Sequence, residues 1–441
     1  MILSLFDNAI ISKFFTILVT SITVMTAATG CTIPGVGTIG GGPSSLYGVL
    51  KNDPNNTDIS GGTYLRANAV QIGPTTDSKD VNGTALASLS IRKLQQVDKD
   101  TLYALTVEKG LFLSSNGGVT WKRKYIYNIN SNKSTPEEKT ADTNAKIQQN
   151  DQFNIVDFAF DVASPKTIYI AGKDITKVGK IFKSVDYGDN FAPTYTEVEP
   201  NISVNRLTID PLNPNRVYAI LEKGAIIRSL DGGSNWQKIY GLIDPPVSIG
   251  FVVSSNNLLY ALTDKSLLTS PDDGTTWTNT PLKKRPKAAN SVNSVSNNNN
   301  YFNGGSQDML SSITKIVFVQ NGDYDTLKTR QDRGINTLEV FVIAEQQLWY
   351  TDNLASGLAP VNLPLQNTQN NLLDIAYDPK IGTNKLMLSV DNKLLISGNK
   401  GQSWAISDNI RTQEKIGSIY QIVIDRQNPE INYLGLASLK K

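Results

Sequence analysis

One eight-residue phrase returns six times along this 441-residue chain: a Ser or Thr, an Asp or Asn two positions on, a small residue two further, and a Trp, Phe or Leu at the close. It reads SSNGGVTW (Ser114 to Trp121), SVDYGDNF (Ser184 to Phe191), SLDGGSNW (Ser229 to Trp236), SPDDGTTW (Ser270 to Trp277), TDNLASGL (Thr351 to Leu358) and SGNKGQSW (Ser397 to Trp404). Such recurrence marks a repeat architecture, in which each copy is a unit that cannot bury its apolar face alone. Counted from Ser114, Ser184, Ser229, Ser270, Thr351 and Ser397, successive starts lie 70, 45, 41, 81 and 46 residues apart. Three of these spacings match the ~40 to 50 residues of a four-stranded propeller blade, and the two long ones read as a blade plus an insertion.

The residues between the phrases have the pattern of strands. VNRLTIDPLNPNRVYAILEKGAIIRSLDGG (Val204 to Gly233) runs through an apolar strand, a turn at Asp210-Pro211 and Asn213-Pro214, a second strand, and a third that ends in the phrase. FAFDVASPKTIYIAG (Phe158 to Gly172), IAYDPKIGTNKLMLSV (Ile375 to Val390) and IVIDRQNPEINYLGLA (Ile422 to Ala437) repeat its first half. The last of these has no phrase after it, while SLYGVLK (Ser45 to Lys51) and GTYLRANAVQI (Gly62 to Ile72) are strands without an inner pair. Joining the two ends predicts an all-β fold: a single seven-bladed β-propeller whose last blade is closed by N- and C-terminal strands, within the ~4 to 8 blades that propellers use.

Each phrase has the chemistry of a tight turn. Ser and Asp or Asn can bond the turn's own backbone, Gly supplies an angle other residues resist, and the aromatic packs back between strands. The residues assigned to these structural roles are Ser114, Asn116, Gly118 and Trp121; Ser184, Asp186, Gly188 and Phe191; Ser229, Asp231, Gly233 and Trp236; Ser270, Asp272, Gly274 and Trp277; and Ser397, Asn399, Gly401 and Trp404. The fifth copy departs, with Ala355 in place of Gly and Leu358 in place of the aromatic. The phrase resembles the Asp-box, or BNR repeat, of sialidases, sortilin-type receptors, xyloglucanases and photosystem II assembly-factor-like propellers. That resemblance implies that the box lies on the outer rim, away from a central site.

Two long insertions are visible, Asn128 to Gln152, where Thr135, Pro136 and Glu138 suggest a helix start, and Leu282 to Met309, with KKRPK and an Asn-rich run; Asn321 to Asn336 is a shorter third. The first two follow a box and a fourth strand, so they are expected to rise from the face opposite the boxes. The KKRPK run (Lys283 to Lys287) reads as solvated, with contact to anionic headgroups as the other possibility.

At the start of the chain, Phe14 to Ala28 carry no charge and follow Lys13, as in a secretory signal over residues 1–30. The segment ends at Gly30-Cys31 and resembles the bacterial lipobox, which implies a diacylglycerol on the Cys31 sulfur, usually with a further acyl chain on its new amino group. A signal anchor, or an ordinary signal beside an incidental Cys, is the alternative. Cys31 is the single cysteine, so no disulfide competes for it. Residues 31–45 are Gly-rich and read as a flexible tether, leaving 46–441 for the propeller.

Lys and Arg number 42 against 40 Asp and Glu, a balance that argues against a nucleic-acid surface. There is no His, which removes Ser-His and His-metal chemistry. No Arg-Ile-Pro tripeptide of the sialidase kind occurs, and Arg66, Arg92, Arg206, Arg216 and Arg228 read as snorkelling solvent-face residues. NGDYD (Asn321 to Asp325) is too thin for a calcium loop, and no metal, cofactor or catalytic residue is expected. Resemblance to single-propeller Asp-box lipoproteins implies a non-enzymatic scaffold or assembly factor, anchored by lipid to a non-cytoplasmic membrane face of a bacterial cell envelope and binding another envelope protein. The alternative is a carbohydrate-binding or glycoside-hydrolase-like propeller, with Tyr301 and Phe302 among its candidate aromatics.

Overall fold

The computed structural model describes residues 48–52, 65–66, 89–118, 120–124, 126, 153–241, 244–252, 258–285, 308–319, 339–365, 371–378, 384–407, 417–425, 427–428 and 430–437. The signal, Cys31, the tether, the insertions at 128–152 and 321–336, and Tyr301 and Phe302 lie outside these residues.

The described strands form seven four-stranded antiparallel sheets, each one blade. From the inner strand outward, blade 1 is Ile91–Gln96, Leu102–Thr106, Gly110–Ser114 and Lys122–Arg123, and blade 2 is Phe153–Phe160, Ile168–Asp174, Gly179–Ser184 and Ala192–Thr196. Blade 3 is Val204–Ile209, Val217–Leu221, Ile226–Ser229 and Gln237–Tyr240; blade 4 is Ser248–Val252, Leu258–Leu262, Ser266–Ser270 and Thr278–Pro281. Blade 5 comprises Ile313–Phe318, Val340–Ala344, Gln347–Thr351 and Ala359–Pro360, and blade 6 Leu372–Tyr377, Leu386–Val390, Lys393–Ser397 and Ala405–Ser407. The seventh is the composite predicted from the ends: Ser418–Ile424 pairs with Asn432–Ala437, which pairs with Gly48–Asn52, which in turn pairs outward with Leu65–Arg66.

Second strands such as LYALT, VYAIL and VFVIA are apolar at nearly every position and buried throughout, because neighbouring blades cover both sheet faces. The core is accordingly divided into seven apolar clusters, one at each blade-to-blade interface. The closing interface holds Val49 and Tyr433 of blade 7 against Ile91, Leu94, Leu102 and Phe112 of blade 1. Fourth strands face solvent, as in Gln237–Tyr240 and Thr278–Pro281.

One local device recurs on the inner strands. Six of the seven carry a β-bulge at the same point, at Arg92, Val156, Asn205, Thr314, Leu373 and Tyr420; blade 4 lacks it. The extra residue bends the strand and re-aims the side chain that follows. Those following residues are Lys93, Asp157, Arg206, Lys315, Asp374 and Gln421.

Candidate functional site

Two places concentrate polar chemistry, the boxes and the central channel. In each of the five regular boxes the Ser hydroxyl accepts the N–H of the Gly four residues on, at 2.9 Å for Gly118 and Gly188, 2.8 Å for Gly233 and Gly401, and 2.7 Å for Gly274. The same hydroxyl donates to the Asp or Asn, whose Oδ1 accepts a backbone N–H at the next-to-last position. In the four Trp boxes, the indole N–H donates back to the carbonyl of the box Gly at 3.0–3.1 Å. The Ser, Asp or Asn and Trp side chains of the motif are thereby each bonded inside the turn.

The closing residue packs between blades. Trp121, Phe191, Trp236, Trp277, Leu358 and Trp404 each join the cluster between their own blade and the preceding one. Polar side chains of that preceding blade then grip the turn. The Tyr169 hydroxyl and the Lys183 ammonium both donate to the Gly232 carbonyl, at 2.7 and 2.8 Å, and Arg228 donates to the Asp273 carbonyl at 2.8 Å while Arg216 bridges Asp210 and the Asp273 carboxylate. The boxes are inter-blade clasps.

The fifth box is a different turn. Thr351 donates to the Asn353 carbonyl, Asn353 caps a short 3-10 turn at Leu354–Ser356, and Leu358 is buried where the aromatics sit elsewhere. Its fourth strand has only two residues, one of them Pro360, so the outer edge of blade 5 is left largely unpaired. The described ends of the second insertion bond to Leu358, at the start of this strand. Lys284 N–H donates to Asp308 and Leu310 N–H to Leu282, forming a stem, while Leu358 N–H donates to Lys283 and Arg285 N–H to Leu358. Arg285 then reaches Thr351 Oγ1 at 3.3 Å and Asp352 at 3.5 Å. Two expectations are corrected here. Leu282–Arg285 and Asp308–Met309 are part of the packed rim, and the stem runs towards a box rather than away from it. Nor is the KKRPK run simply solvated, since Lys284 pairs with Glu345 at 3.0 Å and lies over the Trp349 ring.

Box carboxylates give the fold an acid-sensitive element. The Asn235 side-chain and backbone N–H groups, with the Ser229 hydroxyl, hold Asp231 at about 2, below the ordinary 3.8, and the backbone and hydroxyl of Thr276 lower Asp272 likewise. A carboxylate lowered in the folded state contributes stability that is complete above its unfolded value and is lost as pH falls through the folded one. Melting temperature should therefore drop between about pH 4 and pH 2. The doubly substituted D231N/D272N protein, carrying the residue that boxes 1 and 6 already have at Asn116 and Asn399, should lose less over the same window; an identical drop would refute this role.

In the central channel, Asp157 and Asp374 are the buried carboxylates that follow the bulges of blades 2 and 6. Asp157 takes the Lys93 ammonium of blade 1 at 2.7 Å on Oδ1 and the Leu207 N–H of blade 3 at 2.8 Å on Oδ2. Asp374 repeats this half a turn away, with Lys315 of blade 5 on Oδ1 and the Ile422 N–H of blade 7 at 2.7 Å on Oδ2. Each therefore ties three consecutive blades. Burial, together with the Lys93 ammonium, draws the Lys315 amine down to about 8, against the pull of Asp374.

Some of the arginines also differ from expectation. Arg216 and Arg228 brace the blade 4 box rather than face solvent, whereas Arg92 and Arg206 sit on inner strands, Arg92 half-buried and Arg206 exposed as expected, and the Arg66 side chain lies outside the described residues.

No protein-family model and no curated protein sequence matches the chain. Solved propellers do. YCF48 bound to a D1 peptide is 15% identical with a TM-score of 0.50, covering 79% of this chain and 93% of that one. YCF48 from Cyanidioschyzon merolae is likewise 15% identical with a TM-score of 0.50, over 79% and 96%. The GH74 xyloglucanase from Xanthomonas campestris is 14% identical with a TM-score of 0.53 over 79% of this chain, which spans about half, 51%, of the xyloglucanase. At these identities the likeness establishes the propeller fold alone, and it includes both a peptide-bound propeller and an enzyme.

Proposed function

We propose that this chain is a non-enzymatic protein-interaction scaffold or assembly factor, anchored through Cys31 to a non-cytoplasmic membrane face of a bacterial cell envelope. The observation that carries the non-enzymatic part is the commitment of the channel carboxylates. A glycosidase of the usual kind needs one carboxyl group holding a proton for the leaving group and a second free to act as base or nucleophile. Asp157 and Asp374 instead each hold a Lys ammonium and a neighbouring blade's backbone N–H. Their chemistry is spent on joining blades. Binding then falls to the connections that a rigid ring displays, and loops on rigid scaffolds are where recognition is usually placed.

A carbohydrate-active propeller is the second reading, supported by the xyloglucanase fold likeness. A panel of aryl glycosides and a glycan array separate the two. The scaffold reading expects no turnover and no retained glycan; hydrolysis that disappears in D157N or D374N would replace it with the enzyme. For the anchor, Cys31→Ser should move the chain from the membrane to the soluble fraction, and unchanged membrane attachment would refute lipidation.

A further inference from the structure

The ring has two faces, and the chain that leads from Cys31 joins it at one of them. In the composite blade Gly48 pairs with Leu436 and Asn52 with Asn432, and the Lys51 ammonium lies against Gly117 of the first box. This strand therefore starts at the face opposite the boxes and runs towards them. Sixteen residues lie between Cys31 and Gly48, and a flexible Gly-rich chain of that length spans about 20–24 Å on average. The box face is a strand's length further away, about 17 Å for the five residues of Gly48–Asn52. An anchor at Cys31 thus brings the face at Gly48 to the membrane and leaves the boxes pointing away from it.

That face carries apolar side chains that the core does not use. Val198 is 92% exposed, Ile175 67% and Val107 41%. Val107 and Ile175 stand in the hairpins between the second and third strands of blades 1 and 2, and Val198 in the connection from blade 2 to blade 3. The three segments are neighbours. A cleft lined by Val107, Lys109 and Arg123 of blade 1 and by Phe153 and Asn154 of blade 2 links the two hairpins, because Phe153 and Asn154 pair with Asp174 and Lys173, immediately before Ile175. The Glu197 N–H donates to the Gly179 carbonyl at 2.8 Å and Val178 bridges to Ile202, which sets the Val198 segment beside the Ile175 hairpin.

The charges of this edge suit a headgroup layer. Glu108, Asp174 and Glu197 accept the backbone N–H groups of Ser90, Val178 and Val198. Lys109, Lys173 and Lys177 stand on the same hairpins and strands, and a lysine can lay its stem along apolar surface while its ammonium stays at the polar level. The box face also exposes apolar residues, Val185 at 59% among them. Exposure therefore does not choose between the faces, and the entry point of the chain does.

We propose that the face opposite the boxes, at blades 1 and 2, docks on a phospholipid bilayer, with Val107, Ile175 and Val198 entering the boundary between headgroups and acyl chains. The proposal rests on the anchor at Cys31: a single attachment point leaves the ring free to turn, and a second, apolar contact fixes the face it presents.

Site-directed fluorescence of the full lipidated chain in vesicles of phosphatidylethanolamine and phosphatidylglycerol tests it. With Cys31 acylated, a thiol-reactive probe attaches only to an introduced cysteine, in I175C, V198C or, on the box face, V185C. Brominated lipids should quench the probes at 175 and 198 and leave the probe at 185 unquenched. Adding V107S and V198S to I175C should reduce the quenching at 175, while the chain still floats with the vesicles through its anchor. A chain that floats but is quenched at none of the three positions, equally at all three, or chiefly at 185 would overturn the docking alone. A chain that does not float would overturn the anchor and the docking together.

Discussion

Replacing Asp374 with Ala should destabilise the propeller by about 2–3 kcal/mol, below the ~3–5 kcal/mol of a fully buried ion pair because the Lys315 side chain is 33% exposed. Asp374 is 1% exposed and sits at the centre of a three-blade junction, so the substitution strands the Lys315 ammonium and the Ile422 N–H together. D374N should lose less, because its carbonyl oxygen can still accept one of these donors. The decisive comparison is the double variant K315M/D374L. Replacing a buried pair by apolar groups of similar volume is often neutral, so the double variant should recover most of the stability lost in the single one. Denaturant unfolding checks all three, and a single variant as stable as the wild type would remove Asp374 from its role as a strut. Asp157, with Lys93 and the Leu207 N–H, should behave alike.

The second large effect concerns closure. A chain beginning at Leu46 keeps the strand Gly48–Asn52, whereas one beginning after Asn52 loses it. That strand contributes five paired positions against Asn432–Ala437 and buries Val49 and Leu50 in two different interfaces, those of blade 7 with blades 1 and 6. Burying two such side chains contributes about 1.5–3 kcal/mol each, so the shorter chain should be at least about 3 kcal/mol less stable. It should also self-associate, since the open edge of Asn432–Ala437 is a template for pairing with another chain. Sedimentation and thermal melting of the two truncations check this; equal stability and a monomeric state for both would mean that the ring does not depend on its terminal strand.

How much of this was legible in the sequence follows from which interactions are local. The box is an eight-residue turn whose bonds run from Ser114 to Gly118 or from Asp231 to Asn235, so its spacing reported blade length directly. The composite blade was legible because apolar strands lacking partners stood at both ends. The direction in which the box aromatic packs was not, since the turn's composition is the same whether Trp236 plugs its own blade or the interface with blade 2. The path of Leu282–Arg285 was hidden for a related reason: it answers to the two-residue outer strand at Ala359–Pro360, far along the chain.

The channel residues were missed although a signal existed. IRKLQQVD, IVDFAFD, VNRLTID, ITKIVF, LLDIAYD and IYQIVID share a frame in which an apolar residue, a variable one and a charged or amide residue precede the inner-strand core. Aligned on that frame, Lys93, Asp157, Arg206, Lys315, Asp374 and Gln421 fall in one column. Their pairing across blades needs the ring, which no single repeat contains.

The scaffold reading is tested most directly by quantitative capture from solubilised membranes, using the intact lipidated chain and a variant lacking 128–152 and 286–307 whose melting temperature matches the wild type. The expected result is one partner recovered in a fixed ratio with the wild type and reduced about tenfold or more with the variant, the equivalent of about 1.4 kcal/mol of lost binding. Recovery of no protein in a fixed ratio with the wild type, or equal recovery with both chains, would contradict a scaffold that binds through its insertions.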